Sequence, residues 1–189
     1  MPRPLDHARR AELLEGLIAY IADRGLSELS LRPLAEYLGT SSRMLIHYFG
    51  TKEAMLVAAL ETQRPDIAAL FTGIDSAAVL RDRLCASFEI NTAGQFATSL
   101  PVLLQVLGAA TVPNSPFKSY ATDAIEVLVD AMTNSLTRID PTIPDPQASA
   151  TLLISGMRGL IQDWWITADT PRIRRAVTLL ISQAIPTTP

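Results

Sequence analysis

The sequence is poor in the side chains that catalysis and metal binding most often use. It has one cysteine, Cys85, and two histidines, His7 and His47, among 189 residues. A lone cysteine excludes an internal disulfide and fits a reducing compartment. The histidines and carboxylates show no metal-ligand spacing, and no glycine-rich loop of the phosphate-cradling kind occurs. No catalytic residue, metal or cofactor is therefore expected. Strand-like alternation is missing throughout, which points to an all-α chain. The opening MPRPLDHARR lacks the apolar stretch of a signal peptide. The best apolar run, Leu152 to Ile166, is interrupted by Arg158, Gln162 and Asp163, so no membrane span is expected. Charge of one sign is scarce as well: the net charge is −3. Residues 1–60 carry seven basic and seven acidic side chains, and 61–189 carry nine and twelve. Any basic surface must come from local placement. What remains is a soluble, cytoplasmic chain with 48% apolar residues, long enough to bury a core.

Helical periodicity fills this chain, with about nine helices in all. Residues 6–24 place Leu13, Leu14, Leu17, Ile18 and Ile21 on one face, and Arg24 followed by Gly25 closes the helix. This helix reads as a support beneath the next two. Arg3, Arg9 and Arg10 on its approach either reach a phosphate or are simply solvated, and the second reading is the more general. A later helix is expected from Lys52 to about Phe71, ~30 Å long, with a kink at Pro65. Further helices are expected at about 76–92, 100–110, 117–138, 146–168 and 171–185, separated by proline- and glycine-bearing turns.

The stretch Ser30 to Leu56, SLRPLAEYLGTSSRMLIHYFGTKEAML, organises the rest. Leu31, Leu34, Ala35 and Leu38 form one helical stripe, and Gly39 ends it. Thr40, Ser41 and Ser42 offer hydroxyls to cap a second short helix, whose Leu45, Tyr48 and Phe49 face inward. Ser42, Arg43, Ile46 and His47 are left on the opposite face. Gly50 stops that helix, and Thr51 caps the next. Two short helices joined by a glycine turn, the second polar and partly basic, make a helix-turn-helix pattern that predicts binding to double-stranded DNA.

Each side chain on that face admits two roles. Arg43 can donate two bonds to guanine O6 and N7, or hold a phosphate. Ser41 and Ser42 either donate to a phosphate or cap the helix. His47 touches a base edge or phosphate, or stands free on the surface. Ile46 meets a thymine methyl or folds down onto the first helix. Tyr48 packs inward with its hydroxyl at the rim.

The segment LLEGLIAYIADRGLSELSLRPLAEYLGTSSRMLIHYFGTKEAMLVAAL resembles the DNA-binding region of TetR-type bacterial regulators. The matching marks are Gly25, Ser30-Leu31-Arg32, Leu34-Ala35, Gly39, Ser41, Leu45, Phe49 and Lys52-Glu53. They cover about a quarter of the chain, at spacing fixed over several elements. The chain departs from the family at Ser42, Arg43 and Met44, where a lysine, a small residue and a threonine are usual. It departs again at Ile46, where a tyrosine that contacts the DNA backbone is common. The resemblance implies a helix-turn-helix domain at 1–51 and a helical effector-binding and dimerisation domain at 52–189. It implies DNA contacts through Arg32, Ser41, Ser42, Arg43, Ile46, His47 and Lys52, with Lys52 as a phosphate ligand.

It further implies a homodimeric repressor of a palindromic operator, released by a small-molecule effector. Phe88, Asn91, Phe96, Gln105, Phe117 and Tyr120, with Gln95 nearby and with Met157 and Trp164, are candidates for the effector pocket. From the residues alone these aromatics would simply fill a core. Asp123, Glu126 and Asp130 read as a solvated face. Leu152, Gly156, Gly159, Ile173, Val177 and Leu180, on the last two helices, are the candidate dimer surface, pairing with a second copy as a four-helix bundle. Two alternatives stay open: a helical adaptor that kept the fold without operator binding, or a small helical enzyme.

Overall fold

The computed structural model describes residues 6–94 and 96–185, and among these it contains ten α-helices, one 3-10 turn and no strand. Arg3 and Gln95 lie outside the described residues. The chain forms two compact units, one of residues up to Arg64 together with Thr98–Ala121, the other of Pro65–Ala97 and the chain from Thr122 onward.

The first unit is built on α1 (His7–Arg24). The Asp6 carboxylate accepts the Arg9 N–H at 3.0 Å to open the helix, and Gly25, at φ 85°, closes it. Leu13, Leu14, Leu17, Ile18 and Ile21 are all buried, as their period requires, and Tyr20 joins them. A 3-10 turn (Leu26–Glu28) leads to α2 (Leu31–Tyr37), α3 (Ser42–Phe49) and α4 (Lys52–Thr62). Gly39 and Gly50 stand at φ 60° and 79°, left-handed values that a side chain would oppose, so the chain can reverse twice within a dozen residues. Helix α7 (Ser99–Ala109) returns to this unit and packs on α1.

The expected long helix from Lys52 to Phe71 is in fact two. Helix α4 ends at Thr62, and a separate five-residue α5 spans Ile67–Phe71. Pro65 causes a break where a kink was expected. Its ring disfavours helical geometry at the preceding residue, and it has no N–H to continue the ladder. Asp66 then starts the new helix by accepting the Ala69 N–H at 3.1 Å.

The second unit contains α5, α6 (Ala77–Ala93), most of α8 (Lys118–Ile139), α9 (Pro146–Thr167) and α10 (Thr170–Ala184). Helices α9 and α10 form an antiparallel hairpin, and α6 packs against both. Leu153, Met157 and Ile161 of α9 and Ile173, Val177 and Ile181 of α10 supply its buried stripe. The corner is fixed by charge-assisted bonds. Arg172 donates to both oxygens of Asp163 at 2.8 and 2.7 Å and to Asp169 at 3.2 Å, while Trp164 Nε1 donates to Thr170 Oγ1 at 2.9 Å. The Arg172 bond holds the Asp163 carboxyl below the ordinary carboxylate range. No helix among the described residues is long and apolar enough to cross a membrane.

Candidate nucleic-acid interface

Helix α3 is short, and eight residues cannot hold a helix in water without tertiary support. That support is Leu45, 1% exposed, with Tyr48 and Phe49 half-buried beside it. The Ser41 side chain accepts the Met44 N–H at 3.2 Å and so caps the helix. The cap satisfies one of the free N–H groups at this end. Ser42 is half-buried in the first turn. Arg43, Ile46 and His47 are exposed on the far face, Ile46 at 41%. His47 meets the Tyr48 ring edge-on at 5.9 Å. Tyr48 thus sits at the rim of the inner face.

The basic side chains of this unit divide sharply. Arg9 donates to the Leu38 carbonyl at 3.1 Å and pairs with Glu12 at 2.9 Å. Arg10 lies over the Phe49 ring at 5.2 Å, and Arg24 over Tyr20 at 5.5 Å. Arg9 and Arg10 are therefore braces within the unit. Lys52 Nζ donates to the Leu29 carbonyl at 3.2 Å and lies 3.9 Å from Glu53, with its side chain still 43% exposed. Arg32, on the first turn of α2, and Arg43, on α3, are exposed, and among the described residues neither makes a hydrogen bond, ion pair or ring contact. Two guanidinium groups are left pointing into solvent from neighbouring helices of one motif.

Two exposed side chains near that face were missed by the sequence reading. Met44 is 39% exposed on α3, and Tyr37 is 49% exposed on α2, its ring edge-on to Tyr20 at 5.3 Å. Met44 sits one step from Leu45, where an inward apolar residue is easily assumed. At ~100° per residue it falls instead on the outer edge.

The residues proposed for an effector are divided between the units. Phe88 is buried on α6 and meets the Trp164 ring edge-on at 6.3 Å, with Met157 buried on the same helix as Trp164. Asn91 and Phe96 are half-buried in the same unit, and Asn91 donates to the Ser87 carbonyl of its own helix at 2.8 Å. Gln105, Phe117 and Tyr120 belong to the first unit. There Gln105 Oε1 accepts the Leu26 N–H at 2.7 Å, which ties α7 to the turn after α1. The Arg64 guanidinium lies over the Tyr120 ring at 4.9 Å. Two concavities open on the second unit. One, of about 400 Å³, is lined by Phe71, Gly73, Asp75 and Arg138 among others. The other, of about 570 Å³, runs along the start of α9 beside Thr151, Leu152 and Gly156. None of the proposed effector residues lines either one.

Of the proposed dimer residues, Ile173 (0% exposed) and Val177 (3%) face the core of their own unit and have no surface left for a second copy. Leu180 packs on Gly156, where an added Cβ would lie 2.7 Å from the leucine side chain. Leu152 and Gly159 are exposed. They align with Ile166, 76% exposed, at steps of seven along α9, and Leu179 is 57% exposed on α10.

Residues 13–59 match the family model described as bacterial regulatory proteins, tetR family. That match runs from α1 into α4, so this part of the chain is similar to the family's members, with α2 and α3 forming a helix-turn-helix. No curated protein sequence matches the chain. Solved structures share the whole fold. A transcriptional regulator from Rhodococcus sp. Rha1 is 20% identical with a TM-score of 0.78, covering 95% of this chain and 99% of its own. AibR, in complex with isovaleryl coenzyme A and operator DNA, is 16% identical at 0.70, covering 95% and 100%. SmeT, the repressor of the Stenotrophomonas maltophilia multidrug efflux pump SmeDEF, is 16% identical at 0.69, covering 93% and 87%.

Proposed function

We propose that the chain is a cytoplasmic, ligand-responsive repressor that binds a palindromic operator as a homodimer and is released by a small-molecule effector. The observation that carries this reading is the pair of unpartnered guanidinium groups, Arg32 and Arg43, on α2 and α3. A cation kept free beside a capped, outward-facing short helix is suited to a polyanion. Residues 1–51 form the reading domain in this proposal, and the helices from residue 52 onward carry effector and dimer surfaces. Arg43 reads a base; Arg32, Ser42 and Lys52 contact phosphate, with Lys52 exchanging the Leu29 carbonyl for a phosphate oxygen. AibR bound to coenzyme A thioester and operator DNA, and SmeT as a repressor, support the same division of labour by shared fold. The Phe88–Trp164 contact, with Met157 buried on the same helix as Trp164, is the proposed apolar wall of the effector site. The outer stripe of α9 with Leu179 of α10 is the proposed dimer face, and twofold pairing sets two α3 helices about one DNA turn, ~34–36 Å, apart. The effector acts by preferring one arrangement of the two copies over the other.

Gel-shift titration of duplexes selected from a random pool tests this reading. Arg43→Ala is expected to lower affinity for the selected site by about 5- to 150-fold per half-site while the fold survives, since a bidentate arginine–guanine pair contributes ~1–3 kcal/mol. Wild-type binding should fall steeply as salt rises. A protein that enriches no duplex at low salt is an adaptor or enzyme on the same fold, and the proposal is then wrong.

A further inference from the structure

The outer face of α3 is not simply basic. Leu45 points directly inward, and at ~100° per residue Arg43 and His47, four apart, form the ridge opposite it. Ile46 falls on one flank of that ridge and Met44 on the other. Both are open, at 41% and 39% exposure. A free guanidinium thus stands between two exposed apolar side chains on one short helix. The matching surface must be anionic, must offer a bidentate acceptor, and must carry apolar groups on either side of it.

Among duplex surfaces only the major groove combines these features: guanine O6 and N7 accept from arginine, and the C5-methyl group of thymine is the apolar element. Resting on the DNA-binding reading above, we propose that α3 reads its half-site chiefly by thymine methyl groups. One methyl meets Ile46 and one meets Met44, on either side of a guanine held by Arg43. A helix ~10–12 Å across spans about three base pairs at 3.4 Å each, so both methyls fall within one or two steps of that guanine. The half-site is then rich in A·T pairs around a single G·C pair, and its recognition depends on groups that form no hydrogen bond.

Deoxyuridine tests this directly, because it differs from thymidine only by the missing methyl. Duplexes enriched from a random pool by the wild-type protein are resynthesised with deoxyuridine at one thymine position at a time, and their affinities are measured by fluorescence anisotropy. Loss of a buried methyl is expected to weaken binding about fourfold at each of two positions per half-site. Ile46→Ala should abolish the thymine–uracil difference at one position and Met44→Ala at the other. Both residues are exposed, so both variants should fold. Enriched duplexes whose affinity survives complete replacement of thymine overturn the inference and leave the DNA-binding function standing. Sensitivity that persists in both variants overturns it equally, by assigning the methyl contacts elsewhere. Failure to enrich any duplex removes the function and the inference together.

Discussion

The proposed dimer face makes a quantitative demand on Leu179. It is 57% exposed in the single chain, on α10. Fully burying a leucine side chain contributes ~1.5–3 kcal/mol, so closing the half still open is worth ~1–1.5 kcal/mol. In a twofold interface the same residue occurs on both sides, which doubles the figure to ~2–3 kcal/mol. Leu179→Ala should therefore weaken self-association about 30- to 150-fold. The substitution should leave the isolated chain nearly as stable as before, because it opens no cavity in the core. Sedimentation equilibrium over a range of concentrations reads the association constant, and thermal unfolding reads the fold. Leu70→Ala serves as the control, since Leu70 is also exposed, at 42%, but belongs to α5 and to neither helix of the proposed face. Equal dimer constants for the wild type and Leu179→Ala, or a wild-type chain that stays monomeric at micromolar concentration, would refute the argument. A loss of association in the Leu70 control as large as in Leu179→Ala would refute it too.

Two other perturbations probe the modules separately. Leu45→Ala removes the one fully buried side chain of α3 and should cost about 2–5 kcal/mol locally. Hydrogen exchange should speed across residues 42–49 and operator binding should fall, while exchange in α9 and α10 stays unchanged; protection of α3 at the wild-type level would count against its reliance on this single anchor. At the α9–α10 corner, Asp163 has its carboxyl pKa lowered by the hydrogen bond from Arg172. A lowered folded-state value means this stabilisation is complete above the ordinary carboxylate value of 3.8 and is lost as pH falls through the lower folded value. The pair is solvent-exposed, so the effect is small. Thermal unfolding between pH 6 and pH 2 should fall less steeply in Asp163→Asn than in the wild type, and parallel curves would show that the pair contributes nothing.

What the sequence made legible was local. Gly25 after α1, Ser41 before α3 and Thr51 before α4 are signals whose partners lie within four residues, and each caps its helix as its type requires. The glycine turns and the buried Leu45 follow from the same short range. Contacts made across the fold were not legible. Nothing in the spacing of Arg9 says that its guanidinium will find the Leu38 carbonyl, or that Lys52 will reach Leu29. Gln105 reads as a polar residue in an apolar helix, suited to a pocket wall, yet its amide holds the Leu26 N–H of a turn far back in the chain. These partners have something in common: each is a backbone group left over at the end of a helix or turn, where the ladder supplies no mate. Arg9, Lys52 and Gln105 were drawn to those groups, and Arg32 and Arg43 were not.

The last two helices show why a stripe alone does not assign an interface. Periodicity finds Ile173 and Val177 as readily as Leu179, but it does not say what lies beneath each face. In the folded chain Ile173 and Val177 are consumed by the core, and Leu179 is not. Helix α9 makes the distinction sharper, because it carries two stripes. Leu153, Met157 and Ile161 face inward, and Leu152, Gly159 and Ile166 run along the outside at steps of seven. A helix that needed only its own core would carry one apolar face and spend the other on charge. The second stripe, furnished with an exposed glycine for close approach, is the surface that the proposed dimer would use if two such hairpins pack into four helices.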